Sequence, residues 1–292
     1  MNFLRKENFG LSRFTTIQIG GVADCVYFPL NRQGIVEVFH EIRKEKKSFF
    51  ILGGGSNVVI EEGKLDYAVI MTSHLTHYRF KGQKVEVECG VSSSNLCELT
   101  ANNDLSGLEF CYGLPGSIGG AVFMNAKAYG TEIGDLIEEV EIFDYERGTF
   151  STVSGSQCEF DYKHSLFQKK PYLIYKIKFS LIPAQRYQIQ RNMEKYRMDR
   201  AEKGHFLNPS AGCAFKNNYQ AGIPSGKLID DLGLKGFQIG GIKVSEQHAN
   251  FLVNMGGARF EDYKKMIDHI REKVKQQKQI ELEREIRFLP EK

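Results

Sequence analysis

Two glycine-rich segments are the parts of this chain best suited to hold a ligand through the main chain. Ile51-Leu-Gly-Gly-Gly-Ser-Asn-Val-Val-Ile60 sets Gly53, Gly54, Gly55, Ser56 and Asn57 between two apolar runs. Gly113-Leu-Pro-Gly-Ser-Ile-Gly-Gly-Ala-Val-Phe-Met-Asn-Ala126 packs four glycines and Pro115 into eight residues, then runs through small residues to Asn125. Glycine is needed where φ is positive or where a ligand lies directly on the backbone. Consecutive unshielded N–H groups in such a segment form a nest for an anion such as a pyrophosphate. Either segment alone is equally well explained as a tight strand connection. Two of them, sixty residues apart and each beside an apolar run, favour a large phosphate-bearing cofactor.

Other nucleotide motifs fail. In Gly222-Ile-Pro-Ser-Gly-Lys227 only three residues separate the glycines, and Leu228 stands where a phosphate loop needs a hydroxyl. No G-x-G-x-x-G follows the first strand, which weakens a Rossmann reading. The six cysteines (Cys25, Cys89, Cys97, Cys111, Cys158 and Cys213) show no C-x-x-C pair and no metal-ligand spacing. In a chain this long they are expected to be reduced thiols, mostly small core residues.

The elements that must position the two segments are legible in the apolar periodicity. Asp24 to Leu30 is predicted as a strand, and Asn31 to Lys46 as a helix with Ile35, Val38, Phe39 and Ile42 on one face. Phe49 to Leu52 is a buried strand feeding the first glycine segment, followed by strands at Tyr67 to Met71 and Val85 to Cys89. Ser92 to Asn103 is a helix with serines at its N-cap. Leu136 to Tyr145, Thr149 to Val153 and Leu173 to Leu181 are expected as antiparallel strands. Gln188 to Lys203 and Arg259 to Lys278 are expected as helices, the second burying Met266, Ile267, Ile270 and Val274 and solvating its lysines.

Bulk composition is that of an ordinary globular chain. With 292 residues, 41% hydrophobic and 26% charged, it can build one large or two medium domains and is not disordered. A net charge of +3 is too slight for a nucleic-acid surface and suits a small anionic ligand met by a few placed cations. The N-terminus has no signal-peptide apolar core, and no apolar run approaches the roughly 18 residues that span a bilayer. A cytoplasmic protein without membrane insertion is expected.

Gly53-Gly-Gly-Ser-Asn57 followed by Gly113-Leu-Pro-Gly-Ser-Ile-Gly-Gly120 resembles the FAD-binding domain of the vanillyl-alcohol-oxidase (PCMH) type of flavoprotein. Asn208-Pro-Ser-Ala-Gly-Cys-Ala-Phe-Lys-Asn217, Ala221 to Gly236, Val244-Ser-Glu-Gln-His-Ala-Asn-Phe-Leu-Val253 and Leu282-Glu-Arg-Glu-Ile-Arg287 narrow it. These segments resemble the UDP-N-acetylenolpyruvoylglucosamine reductase family of peptidoglycan synthesis, in its shorter form. The likeness begins at Phe14-Thr-Thr-Ile-Gln-Ile-Gly-Gly21 and runs nearly to the C-terminus. It implies an α+β fold: a two-lobed FAD-binding domain over residues 1–184 (sub-lobes about 1–72 and 73–184), then a smaller α+β substrate-binding domain over 185–292. A monomer is expected.

The resemblance also implies the chemistry. NADPH reduces non-covalently bound FAD, and the enolpyruvyl ether of UDP-N-acetylglucosamine then takes the hydride on its terminal enol carbon. Charge develops on the substrate carboxylate, and the adjacent carbon must receive a proton. Gly53, Gly54, Gly55, Ser56, Asn57, Pro115, Gly116, Ser117, Gly119, Gly120 and Asn125 are the implied flavin contacts. Cys213 stands where the family usually has a proton-donating serine. A thiol with pKa near ~8.5 is a competent acid, while filling a small buried space is the commoner fate of a free cysteine. Lys163 stands at the family's arginine, keeping the charge but losing the planar fork that grips a carboxylate. Glu285 matches the family's C-terminal glutamate. Ile280 to Arg287 alternates as a strand, so Glu281, Glu283 and Glu285 are expected on one side.

Lys203, Lys216 and Asn217 are implied substrate contacts; Ser245 and His248 are as readily a structural loop as a contact. His164 is expected to be a polar loop histidine, and Lys127 stands where the family commonly has glycine. Two other readings remain open on the residues: another FAD-dependent oxidase or dehydrogenase with the same cofactor domain, and a binding protein that has kept the fold without the chemistry.

Overall fold

The computed structural model describes residues 1–218 and 222–291. Ala221, the first residue of the family-like segment that runs to Gly236, lies outside the described residues. The chain divides into two compact units. One comprises Met1–Glu7, Cys25–Gly54 and Asp66–Met198; the other comprises Asn8–Asp24, Gly55–Leu65 and Asp199–Lys292. Compactness thus divides the chain differently from a single cut at residue 184. The last crossing falls inside a continuous helix, and two short N-terminal segments join the C-terminal unit.

In the first unit, strands Phe3–Gly10, Val22–Pro29, Lys64–Met71 and Phe49–Leu52 lie side by side in that order. Phe49–Leu52 and Lys64–Met71 are parallel, with Phe50 opposite Val69. Helix α1 (Arg32–Glu45) buries Ile35, Val38, Phe39 and Ile42, the i, i+3, i+4, i+7 spacing that makes one apolar stripe. Asn31 caps it by accepting the Gly34 N–H at 2.9 Å, and Lys46 closes it in a left-handed conformation. A second, five-stranded antiparallel sheet has the order Thr149–Ser154, Ile137–Asp144, Tyr172–Ser180, Lys84–Glu88, Tyr78–Lys81. Val140 faces Ile177, which faces Val87, so one buried row crosses three strands. Helix α2 (Ser93–Asn102) starts from Ser92, and a short helix, α3 (Ile118–Phe123), forms inside the second glycine segment, where only a loop was expected. Helix α4 (Arg186–Glu202) follows this sheet.

The second unit is built on strands Ser210–Cys213, Phe251–Asn254, Ile242–Val244 and Gln238–Ile239, in that order and antiparallel. Helix α5 (Ser225–Asp231) and helix α6 (Phe260–Lys278) contribute Leu228, Ile229, Tyr263, Met266, Ile267, Ile270 and Val274 to its core. A separate parallel pair joins Val58–Ile60 to Arg287–Leu289.

The strand expected over Ile280 to Arg287 is not formed. Only Arg284 makes a bridge, to Phe215, and a regular strand begins at Arg287. The alternating burial survives at Leu282 and Ile286, but Glu281 turns to Lys275 and Glu283 to Lys216, each at 2.6 Å. The two carboxylates follow their lysines and not a common strand face there. No helix among the described residues is long and apolar enough to cross a membrane.

Candidate active site

Gly53 and Gly54 of the first glycine segment meet the second segment closely within the first unit. A Cβ added at Gly54 would sit 2.4 Å from the Gly116 Cα and 2.6 Å from the Ser117 N. One at Gly53 would lie 2.7 Å from the Ser117 Oγ, and one at Gly119 2.6 Å from the Cys89 Cβ. Gly116 has φ +111°, a region side chains rarely enter. These glycines are therefore required first by the protein's own packing.

Hydrogen-bond accounting separates the segments further. In the second, Ile118 N–H donates to Val91 O at 2.8 Å, Gly119 N–H to Cys89 O at 2.9 Å, and Gly120 N–H to the Ser117 Oγ at 3.3 Å. Pro115 has no N–H, so only Gly116 and Ser117 have one to offer. In the first, the N–H groups of Gly54, Gly55, Ser56 and Asn57 donate to no protein acceptor among the described residues. Four successive uncommitted donors fit the pyrophosphate of a dinucleotide. The Asn57 side chain is turned elsewhere, donating to Glu285 O at 3.2 Å.

Asn125 is fully buried and already satisfied by the protein. Its Nδ2 donates to Glu132 Oε2 at 2.8 Å and to Asp161 O at 2.9 Å, while its Oδ1 accepts the Gly134 N–H at 3.1 Å. Lys127, at the position where glycine was expected, pairs with the other Glu132 oxygen at 2.7 Å. That pairing, ahead of any other influence, holds the Glu132 carboxyl below its usual range.

Lys163 stands in a tight turn closed by reciprocal Asp161 and His164 backbone bonds, with φ +55°. The turn is fastened to the last residue of α3. Ser165 Oγ donates to Phe123 O at 2.6 Å, and Gln168 Nε2 donates to Phe123 O at 2.9 Å and to Lys163 O at 3.1 Å. His164 Nδ1 donates to Glu159 O at 3.1 Å, the role of a polar loop histidine. Sequence reasoning singled out neither Ser165 nor Gln168; their only signal was two short-range polar residues flanking an apolar Leu166-Phe167 pair.

In the second unit, the segment Cys213 to Lys216 is held along both edges. Ala214 N–H donates to Asn250 O at 2.8 Å, and the Asn250 side chain exchanges two bonds with Phe215 at 3.0 and 2.8 Å. On the other edge Glu285 N–H donates to Ala214 O and Lys216 N–H to Glu283 O, both at 2.9 Å. Cys213 and Glu285 thereby lie in neighbouring strands of chain, with Glu285 half-buried. The Lys216 ammonium is bound to Glu283 Oε1, and Lys203 to Asp199 Oδ2 at 2.7 Å.

A pocket of about 300 Å³ opens beside Cys213 and Asn217, lined also by Lys227, Lys235, His248 and Asn250. Neither Lys203 nor Lys216 lines it. Of the two lysines there, Lys227 was weighed only within a failed phosphate-loop motif and Lys235 not at all, since folding alone brings them to Cys213. Burial holds His248 below its ordinary value and His205 lower still, to about 4, so both imidazoles are neutral near pH 7. The two rings meet edge to face at 5.7 Å. The Tyr263 phenol is fully buried with no hydrogen-bond partner among the described residues. Burial and then the Cys213 thiol push it up.

Residues 23–154 match the FAD binding domain family, which places the first glycine segments in a flavoprotein cofactor domain. Residues 203–289 match the UDP-N-acetylenolpyruvoylglucosamine reductase, C-terminal domain. A reductase of that name from Borrelia garinii subsp. bavariensis is 36% identical over 99% of this chain and 96% of its own. One from a Thermotoga species is 40% identical over 94% and 90%. The crystal structure of the Thermus caldophilus reductase superposes with a TM-score of 0.82 at 32% identity, covering 99% of this chain and 100% of that one. The chain belongs to the UDP-N-acetylenolpyruvoylglucosamine reductase family.

Proposed function

We propose that the protein reduces the enolpyruvyl ether of UDP-N-acetylglucosamine to UDP-N-acetylmuramate, a cytoplasmic step in making peptidoglycan precursors, and that it works as a monomer. The observation that supports this most is identity to named reductases along nearly the whole chain, through cofactor and substrate segments alike. When bound, FAD accepts a hydride from NADPH and passes it to the substrate's terminal enol carbon. Residues 1–184 supply its contacts, with the pyrophosphate on the N–H groups from Gly54 to Asn57. Residues 185–292 supply those of the sugar nucleotide, through Asn217 and, after they leave their acidic partners, Lys216 and Lys203.

The protein's own tasks are the carboxylate and the proton. The Lys163 ammonium offsets charge growing on the substrate carboxylate, which is where a cation raises the rate rather than only the affinity. Glu285 is the further side chain assigned to the same enolate. Cys213 transfers its thiol proton to the adjacent carbon and is left as thiolate, to be reprotonated before the next turnover.

The test is anaerobic. NADPH should bleach the yellow protein, and enolpyruvyl UDP-N-acetylglucosamine should restore the colour with formation of UDP-N-acetylmuramate. Bleaching without recolouring would overturn the proposal in favour of an oxidase or a binding protein.

A further inference from the structure

Lys163 carries its side chain from a backbone conformation that a lysine adopts only when its surroundings hold it there. The bonds that close the turn, Asp161 to His164, lie on either side of it. A further one reaches the Lys163 carbonyl itself, from Gln168 Nε2. The same nitrogen donates to Phe123 O, at the end of the helix that begins in the second glycine segment. Its two oxygen neighbours are carbonyls and its third contact is the Met124 sulfur at 4.0 Å, so only the NH₂ end of the amide can face them and its orientation is settled by chemistry. One amide thus ties the lysine's peptide group to the end of α3.

We propose that Gln168 is a positioning residue for Lys163, holding the left-handed turn that aims the ammonium at the substrate carboxylate. The inference rests on the role of Lys163 proposed above. Loss of the amide frees the Lys163 peptide to rotate, and a long stem converts that rotation into displacement of the charge. About 1 Å of misplacement costs on the order of a hundredfold in rate. Ser165 continues to fasten the turn to Phe123 O, so the fold and the cofactor segment stay in place without Gln168.

The test uses the FAD-loaded enzyme and the two half-reactions separately. Gln168→Met keeps length and volume but has no donor; Gln168→Lys keeps a donor. With Gln168→Met, flavin reoxidation by enolpyruvyl UDP-N-acetylglucosamine should slow by about tenfold or more. Bleaching by NADPH, flavin content and melting temperature should stay at parental values. Gln168→Lys should recover most of the lost rate, and Gln168→Met should add nothing to Lys163→Ala. Parental reoxidation in Gln168→Met beside a crippled Lys163→Ala would overturn the positioning role alone. Equal loss in both half-reactions, or loss of flavin, would show Gln168 to be merely structural and overturn it too. Parental turnover in Lys163→Ala would instead remove the reading of Lys163 on which it rests.

Discussion

Replacing Asn125 separates two roles that the same residue can hold, a flavin contact or an internal pin. The side chain is fully buried, and three bonds hold it within one unit, to Glu132 Oε2, Asp161 O and Gly134 N. None of these three partners belongs to a fully buried residue, so water can reach them once the amide is gone. Each lost bond then costs about 1 kcal/mol rather than the larger penalty of a sealed orphan. Asn125 also sits at φ +43°, which asparagine tolerates and leucine or alanine does not, adding about 1 kcal/mol. Asn125→Leu should therefore lose about 4 kcal/mol, and Asn125→Gly, free of the backbone term, about 3 kcal/mol. Asn125→Asp places a second carboxyl against Glu132, so its defect should shrink as the pH falls and one of the two takes a proton. Urea unfolding of apo and FAD-saturated protein is the measurement. A pin lowers both stabilities equally; a flavin ligand lowers mainly the FAD-saturated one, through linkage. Unchanged apo stability beside a collapse of FAD affinity would refute the reasoning.

Three further outcomes follow from the same geometry. Gly54→Ala drives a methyl into the Gly116 backbone and should leave the protein poor in flavin, whereas Gly120→Ala meets only the Ser117 Oγ, at 3.5 Å, and should keep parental flavin per protein; the reverse pattern would place the pyrophosphate on the second segment instead. Cys213→Ser should keep substrate-driven reoxidation, while Cys213→Ala should lose about a hundredfold or more with NADPH bleaching intact; near-parental reoxidation in the alanine variant would make Cys213 a packing residue. His205 binds its proton less readily folded, at about 4, than unfolded, near 6.5. The unfolded state therefore gains protons first, and stability falls as the pH drops from about 6.5 to 4. The full shift is worth about 3 kcal/mol, reduced to about 2 kcal/mol by partial solvent access. His205→Asn should flatten that part of the pH profile of the urea midpoint, and an unchanged slope would show that other groups set it.

What the sequence made legible is what local chemistry determines. Helix α1 falls between Asn31 and Lys46 because a side-chain acceptor begins it and a left-handed residue ends it, and both signals are local. Phe49–Leu52 stands as expected because four apolar residues abut a glycine run. Leu282 and Ile286 turned inward as their period demands, yet the strand around them did not form. Lys216 and Lys275, 67 and 6 residues away from their partners, take Glu283 and Glu281 out of the row. Glycine likewise announces itself without saying what it is for. The second segment holds more glycines, but three of its N–H groups close bonds to Val91, Cys89 and Ser117. The plainer first segment keeps its donors uncommitted.

Partners distant in sequence also decide what Lys163 and Cys213 can do. Lys163 was judged by its charge and side-chain shape, yet its conformation depends on Gln168 and on the end of a helix forty residues before it. Cys213 was judged by its motif, yet its setting is made by Asn250 on one edge, the Glu283 to Glu285 segment on the other, and a buried, unpartnered Tyr263 phenol nearby. A lysine for a fork-shaped arginine demands tighter aim, since a point charge gains less from its own shape. A thiol for a hydroxyl demands less help in giving up its proton. The two side chains therefore shift the burden in opposite directions: the backbone around residue 163 must do more, and the groups around residue 213 less. On that argument Gln168→Met should damage turnover in the parental chain and do much less damage in the Lys163→Arg background, where the fork supplies its own geometry.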